Sequence, residues 1–441
     1  MLLHNFRIAW KSLKRNPVLS TLIVLAIGIG IGISTTFGAV RHAFARDPIP
    51  QKSARLHYVR MDSWDPLKPY PGTDPTAPPS QVTYRDAVEL MKSPIPTRHS
   101  ATFKSRLTVY PESKELRPFK ENVRLCVSDF FPMFDVPFRY GSGWDKAADA
   151  GPATVLVLSA EMNDKLFGGA NSVGKIVRME GRDFRVVGVL GKWDPGIKFY
   201  DLTQNYTEQP ENFFIPFELI RPMQLRTAGN SDGWKSPPDP SFEGFLQSET
   251  AFVQFWAELK DKPALAAYED HVRSYVLEQK KVGRFPRPVN NRITPLLGLM
   301  KEFNVVPQQA TALLVISLLF LTVCSVNLVG LLLAKFLARA PEVGVRRALG
   351  ASRTDIFLQH LVECELVGIL GGALGLGLSA LGIALMNTFM KTMSSRGDFF
   401  RLDLTALGMA LGLSLLAGLA AGLYPAWRIC RIAPAVQLKV S

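Results

Sequence analysis

Cysteine is scarce in this 441-residue sequence, and its four cysteines form neither a disulfide pattern nor a metal-binding pattern. Cys324, Cys364 and Cys430 fall in or beside apolar runs, which leaves Cys126 alone in the long polar segment. No Gly-x-Ser-x-Gly, His-Glu-x-x-His or paired-carboxylate arrangement stands out either. We therefore expect that the chain is not itself an enzyme and that it holds no catalytic residue, no metal site and no cofactor.

Charge is nearly missing from four long apolar runs. A bilayer core about 30 Å thick needs about 20 apolar residues of helix, and each run reaches that length. We predict an α-helical membrane protein with four transmembrane helices. A large α+β extracytoplasmic, or periplasmic, domain at 41–306 is inserted between the first and second spans. The spans are predicted at residues 18–40, 309–334, 361–387 and 404–427.

The formal net charge of +13 is concentrated beside these runs. Residues 1–17, the 335–360 loop and the 428–441 tail are basic, whereas the 388–403 loop is nearly balanced. Because an excess of Lys and Arg marks cytoplasmic loops, we predict that both termini and the 335–360 loop are cytoplasmic. Attraction to anionic lipid accounts for these basic segments as well, so no nucleic acid partner is expected.

The first 17 residues have the pattern of an amphipathic surface helix. Phe6, Trp10 and Leu13 fall on one helical face with basic residues opposite or flanking, and Asn16-Pro17 ends the pattern. The apolar run from Val18 to Val40 is longer than the roughly 7–15 residues of a signal-peptide core. We therefore predict a retained span, although Ala43-Phe44-Ala45 resembles a cleavage site.

The 41–306 segment is predicted to be a mixed α+β domain, large enough for two subdomains. Proline-rich sequence at 64–80 and Gly-, Ser- and Pro-rich sequence at 229–244 predict irregular inserts. Helices are predicted at 81–92, 159–167 and 263–281, strands at 106–110, 121–127, 154–158 and 250–259, and a hairpin at 175–190 with its turn at Glu180-Gly181-Arg182.

One stretch of this domain, Gly169-Ala-Asn-Ser-Val-Gly174-Lys175, has the spacing of a phosphate-binding loop. Ile176 stands where that motif needs a hydroxyl for Mg²⁺, and a predicted strand follows instead of a helix. We interpret the stretch as a turn between a helix and a hairpin.

Small residues and two carboxylates stand out within the spans. Glycine at four-residue spacing, as in Gly28/Gly32 and Gly371/Gly375, lets helix backbones approach closely in lipid, either within one chain or at a dimer seam. Glu363 and Glu365 lie in the first turns of the third span. They suit the headgroup level, an ion pair with a nearby Arg or Lys, or a proton or substrate relay.

The cytoplasmic loop contains the most informative stretch. Pro341 is a good first helical residue, Gly350 a good stop, and Ser352 with Asp355 fits a capping box that starts the next helix. A helix over 341–350, basic on one side and with Val343, Val345 and Leu349 on the other, suits docking into a groove on a partner or lying on the membrane surface. The residues assigned to the contact are Glu342, Val343, Gly344, Val345, Arg346, Arg347, Leu349 and Gly350.

Several regions resemble the FtsX-like permease family, and within it the MacB-like ABC transporter subunits. Residues 342–353, Glu-Val-Gly-Val-Arg-Arg-Ala-Leu-Gly-Ala-Ser-Arg, look like the family's cytoplasmic loop. Residues 421–428 followed by Ile432-Ala-Pro434 are similar to its last-span ending, and residues 165–190 to its periplasmic core. The start at 9–17 fits as well, whereas 60–120 and 195–250 match poorly.

This resemblance implies the permease subunit of an ABC-type export system in a bacterial inner membrane. ATP and Mg²⁺ would be bound by a separate cytoplasmic ATPase dimer, with the 341–350 segment seated on it as a coupling helix. ATP-driven closure would then move the periplasmic domain by mechanotransmission. A second permease copy or a paralogous permease would complete a dimer, and a periplasmic adaptor is a further candidate partner.

Two departures and three alternatives stay open. Ala340-Pro341 replaces the charged residues that often precede the family's Glu, and the proline-rich inserts prevent substrate or adaptor contacts from being carried over. A scaffold of the FtsX type that activates a cell-wall hydrolase is one alternative, although that branch has a much smaller outer domain. A lipoprotein-releasing permease and a receptor with no ATPase partner are the others.

Overall fold

The computed structural model describes residues 2–72, 74–113, 115–394, 396 and 398–431, which separate into two units. A helical unit comprises Met1–Arg46 and Val306–Ser441, and a strand-rich core unit comprises Asp47–Val305. The core unit is thus inserted after the first membrane helix, which confirms the predicted fold class. Ile432-Ala-Pro434 of the predicted tail lies outside the described residues.

The secondary structure follows this division. Within the described residues the α-helices are α1 Leu2–Arg15, α2 Pro17–Ala45, α3 Tyr84–Leu90, α4 Phe130–Met133, α5 Lys146–Asp149, α6 Ala160–Phe167, α7 Phe242–Leu246, α8 Lys262–Lys281, α9 Leu296–Glu302, α10 Gln308–Leu337, α11 Ala340–Ala348, α12 Arg353–Ser394 and α13 Leu404–Cys430. The strands are β1 Leu56–Arg60, β2 Val82–Thr83, β3 Arg98–Tyr110, β4 Phe119–Cys126, β5 Phe138–Gly141, β6 Val155–Leu158, β7 Ile176–Met179, β8 Arg182–Leu190, β9 Phe213–Pro216, β10 Ala251–Glu258 and β11 Arg292–Pro295.

Four helices of the described chain, α2, α10, α12 and α13, are long and apolar enough to cross a membrane. Each reaches beyond the apolar run that predicted it, most of all α12, which begins at Arg353 and ends at Ser394. Helical hydrogen bonding continues into polar sequence outside the apolar stretch, so an apolar run marks a span but not the ends of its helix.

The paired glycines bring α2 and α12 together inside one chain. A Cβ on Gly375 would lie 2.8 Å from Ile31 Cγ2 and 3.1 Å from the carbonyl oxygen of Gly28. One on Gly371 would lie 2.6 Å from Ile27 Cγ2, and one on Gly32 would lie 3.1 Å from the carbonyl oxygen of Gly375. Such close backbone approach is what small residues allow in lipid. The four glycines thus occupy an intrachain contact, and a dimer seam would have to use other residues.

Replacing Gly375 with Ala should weaken the α2–α12 contact, whereas replacing Gly377 with Ala should not. A Cβ at Gly377 would meet no atom within 4 Å. Overpacking at Gly375 costs about 1–3 kcal/mol, while Ala in place of an unhindered helical Gly gains up to about 1 kcal/mol. Thermal unfolding of the purified chain in detergent measures the stability of each variant. An equal shift in unfolding temperature for the two variants would contradict this packing.

In the core unit, the strands join one sheet in the order β11-β1-β10-β3-β4-β9-β6-β8-β5, with β2 and β7 paired to its members. The 13-residue β3 pairs with β10, β4 and β7. Because this long strand belongs to both halves of the sheet, the two predicted subdomains do not form separate sheets. Most pairs are antiparallel, and β4–β9 and β6–β8 are parallel.

The hairpin and the turn before it agree with their predictions. Met179 of β7 faces Arg182 of β8, and the two residues between them, Glu180 and Gly181, both have positive φ, as a tight two-residue turn requires. The stretch resembling a phosphate-binding loop joins α6 to β7 and is followed by that strand. Ser172 within it donates a hydrogen bond to the Asn163 side chain, so the stretch acts as a turn held to α6.

A charged cluster is fully enclosed in the core unit. The Arg124 guanidinium on β4 donates to Asp201 at 2.8 Å and also to Glu211. Lys198 Nζ lies 3.2 Å from Glu211, and the Tyr200 hydroxyl donates to the same carboxylate at 2.9 Å. Two cations thus face two carboxylates, which is the balance that buried charges need. Burial alone would raise the pKa of Glu211, but Arg124 and Lys198 hold that pKa below its ordinary range.

This cluster should make the core unit acid-sensitive. A carboxylate whose pKa is lower in the folded state stabilises the fold above its unfolded pKa, ordinarily 4.5, and that stabilisation is lost as the pH falls below this value. Glu211→Gln should therefore reduce stability at pH 7 and flatten the decline below pH 4.5. Urea unfolding of the full chain in detergent between pH 7 and 3 measures the slope. The control is Glu208→Gln at a half-exposed position, which should keep the wild-type decline of stability with falling pH. An unchanged decline for Glu211→Gln would refute the role given to Glu211.

Candidate coupling site at the ends of the membrane helices

Helix α11 follows α10 and presents two different faces. Ala340 and Gly344 are buried, and Val343 packs against the core of the helical unit. Val345 and Leu349 point away, with Leu349 83% exposed. The prediction that Val343 shares a side with Val345 and Leu349 is wrong, because residues two apart on a helix differ by about 200° in direction.

The predicted end of this helix and start of the next are confirmed. Gly350 has a φ of 101°, which suits glycine after a helix end. The backbone N–H of Asp355 donates to the Ser352 hydroxyl at 3.1 Å, and the Ser352 N–H donates to the Asp355 carboxylate at 3.3 Å. This reciprocal pair is a capping box, which fixes the direction in which α12 starts.

The arginines of α11 are engaged within the helical unit. Arg346 donates to the Gln359 side chain on α12 at 3.0 Å and to Glu342 one turn earlier at 2.9 Å. Arg347 donates to the backbone carbonyl of Cys430, at the end of α13, at 3.4 Å. Both side chains therefore tie α11 to the membrane helices, while the apolar residues of the outer face stay uncovered.

A buried ion cluster lies beneath α11. Glu363 on α12 is 1% exposed and accepts an ion pair from Lys335 of α10 at 2.7 Å. Arg339 and His360 Nδ1 each lie 3.8 Å from the same carboxylate. The Ser12 hydroxyl of α1 donates to Glu363 and accepts from Arg339. Of the three alternatives for Glu363, the structure shows the ion pair, which joins α10 and α12, and the Ser12 hydrogen bond adds α1.

Glu365, two positions further along α12, has different surroundings. Both of its carboxylate oxygens are inaccessible and have no hydrogen-bond partner among the described residues. They lie 3.1 and 3.2 Å from where a Cβ on Gly418 of α13 would stand. Glu365 therefore packs against the glycine gap in α13 and takes no part in the ion cluster.

Ser12, Lys335, Arg339 and His360 are not among the site residues that the sequence predicted. Lys335 and Arg339 are four residues apart, so they lie on one face where α10 ends, and that spacing opposite a carboxylate in the next span indicated an ion pair. The involvement of Ser12 depends on where α1 packs, which no local pattern reveals.

Two family models together cover most of the chain. The model described as "MacB-like periplasmic core domain" matches residues 20–275. The model described as "FtsX-like permease C-terminal" matches residues 314–434 and so includes α11. The chain belongs to the MacB-like permease family. This confirms the family to which the loop and last-span residues pointed.

Relatives of this MacB-like permease are named as exporters. The pyoverdine export ATP-binding/permease protein PvdT of Pseudomonas fluorescens is 22% identical over 99% of this chain and 59% of its own length. The macrolide export ATP-binding/permease protein MacB of Salmonella typhimurium is 26% identical over 97% of this chain and 59% of its own length. MacB 2 of Aeromonas hydrophila is 25% identical over 70% of this chain and 42% of its own length. The chain thus spans less than two thirds of each of these relatives.

Solved domains similar to this permease are more distant. The periplasmic region of MacB from Actinobacillus actinomycetemcomitans is 13% identical, with a TM-score of 0.37, over 58% of this chain and 94% of that one. The extracellular domain of the transporter YknZ from Gram-positive bacteria is 13% identical, with a TM-score of 0.34, over 54% and 99%.

Changing Glu363 to Gln should destabilise the helical unit, because Lys335 would be left as an uncompensated buried charge. Removing one partner of a buried pair costs about 3–5 kcal/mol. Glu365→Gln is the matched control on the same helix and should be neutral or stabilising, since it removes a carboxylate without a partner. Thermal unfolding in detergent compares the two variants, and a greater loss for Glu365→Gln would contradict these assignments.

Proposed function

We propose that this MacB-like permease is the membrane subunit of an ABC-type export system. In this proposal α11 docks on an ATP-binding partner and passes ATP-driven movement through the spans to the core unit. The observation that carries the proposal is the two-faced character of α11, which is apolar and uncovered outside and tied to the spans inside.

The outer face of α11 has the chemistry of a docking surface. Pro341, Val345, Ala348 and Leu349 are exposed at helical spacing with Glu342 beside them. Apolar side chains grouped on an exposed helix favour insertion into a groove of another protein. This support is stronger for Val345 and Leu349 than for Arg346 and Arg347, whose hydrogen bonds lie within the chain.

The inner face supports the transmission of movement. A displacement of α11 would act on Lys335 and Glu363, because Arg339 immediately precedes the helix and lies against Ser12 and Glu363. The core unit is joined to α2 and α10 by short connections, since α2 ends at Ala45 and α10 begins at Gln308. ATP binding in the partner would then bias a two-state arrangement whose other end is the core unit.

Partners and reaction class follow from the family and from the names of the relatives. We propose that a partner subunit on the cytoplasmic side binds ATP and Mg²⁺, that the core unit lies in the periplasm of an inner membrane, and that a second permease completes a dimer. Helix α10 exposes a continuous apolar face, including Val315, Leu319, Val323 and Val326, which fits lipid or that second copy. Export is the reaction class named for the relatives.

The double variant Val345→Asp/Leu349→Asp should separate the permease from its ATPase. Losing two buried apolar contacts of about 1.5 kcal/mol each weakens binding about a hundredfold. The measurement is ATPase activity that co-purifies with the tagged chain from its native membranes. Leu67→Asp, in the proline-rich insert and 89% exposed, is the matched control and should retain that activity.

Two results would contradict the proposal. One is undiminished co-purified ATPase activity in the double variant, because the outer face of α11 would then be no docking surface. The other is maleimide labelling of Leu349→Cys and Leu67→Cys from the same side of the membrane, because α11 and the core unit must lie on opposite sides for force to cross the bilayer.

A further inference from the structure

A basic cavity lies between α1, α11 and the start of α12, on the inner side of the proposed coupling helix. It encloses about 230 Å³ and is lined by Lys11, Arg15, Arg339, Arg346, Glu342 and His360, among others. We propose that this cavity binds the anionic headgroup of a membrane phospholipid. The proposal goes beyond coupling to an ATPase and does not depend on it.

The lining has an excess of positive charge. Four cations face one lining carboxylate, Glu342, which is already shared by Arg346 at 2.9 Å and Arg15 at 3.9 Å. Glu363 beneath the cavity is neutralised by Lys335. Lys11 has no ion-pair partner in the part of the chain that the structure describes. An anion entering the cavity would therefore meet cations that the protein itself leaves only partly compensated.

The floor of the cavity is preorganised. Arg339 is mostly buried, and its guanidinium is held by the Ser12 hydroxyl and by the Ser12 carbonyl at 3.4 Å. His360 is 3% exposed and packs against the Phe336 ring at 4.2 Å between centroids. A fixed guanidinium is the donor best suited to a phosphate, because its planar N–H groups match two phosphate oxygens. A cavity of about 230 Å³ accommodates a headgroup but not acyl chains.

The surroundings favour a lipid over a soluble anion. The cavity lies where the apolar stretch of α10 ends at Lys335. Helix α1 exposes Phe6 and Trp10, the residue types that anchor helices at a bilayer interface. A phospholipid in the membrane leaflet nearest α11 would place its phosphate at the level of the cavity and its acyl chains beside α1. Basic pockets between membrane helices bind anionic headgroups in this way.

Native mass spectrometry of the purified full chain, titrated with phosphatidylglycerol or with phosphatidylcholine, tests this inference. The cavity variant is Lys11→Gln/Arg15→Gln, and the control is Arg7→Gln/Lys14→Gln. Both remove one Lys and one Arg from the same helix, but Arg7 and Lys14 do not line the cavity. The wild type should bind a first phosphatidylglycerol more tightly than phosphatidylcholine. The cavity variant should lose about tenfold or more in that affinity, and the control less than about threefold.

Three outcomes would overturn the proposal: an equal loss in both double variants, which indicates diffuse surface attraction; equal binding of the two lipids; and displacement of phosphatidylglycerol by millimolar inorganic phosphate, which indicates a free-anion site. If the cavity variant fails to fold, as judged by thermal unfolding without lipid, the single variants Lys11→Gln and Lys14→Gln make the same comparison. These substitutions leave the outer face of α11 intact, so ATPase co-purification reports on the coupling proposal separately.

Discussion

The ion pair between Lys335 and Glu363 is the constraint on which the helical unit depends. Neither charge reaches solvent, so neither is tolerable without the other, and each stands on a different membrane helix. Arg339 and Ser12 bring α11 and α1 to the same carboxylate. One buried acid therefore fixes four helices at one end of the bundle, and any movement of α11 has to displace or carry that cluster.

The core unit also contains buried charges that are paired with one another. Arg124 and Lys198 oppose Asp201 and Glu211 with no exposed side chain among them, and Tyr200 and Gln254 donate further hydrogen bonds to the two carboxylates. In both units buried carboxylates are paired with cations, and in both the cluster joins separate segments of the chain, as Arg124 does with Glu211 and Ser12 with Glu363. Such networks resist rearrangement because moving one charged side chain leaves another without its partner in a medium of low dielectric constant. The transmission of movement that we propose would require this property.

The exception, Glu365, shows how much depends on local geometry. It stands two positions after Glu363, and both glutamates occupy the first turns of one span. Residues two apart on a helix face in nearly opposite directions, so one carboxylate meets Lys335 and the other meets the glycine-rich face of α13. The sequence predicted the same three alternatives for Glu363 and Glu365, and no local pattern distinguishes the two residues.

The sequence by itself determined the spans, the insertion of the core unit, the hairpin at Glu180-Gly181 and the capping box at Ser352. Each of these depends on interactions between residues close in the chain or on the length of an apolar run. Tertiary structure alone decided which face of α11 is free, which partner Glu363 takes, and that the paired glycines pack α2 on α12. Those outcomes depend on which side chains meet between different helices, and the pattern along one helix does not contain that information.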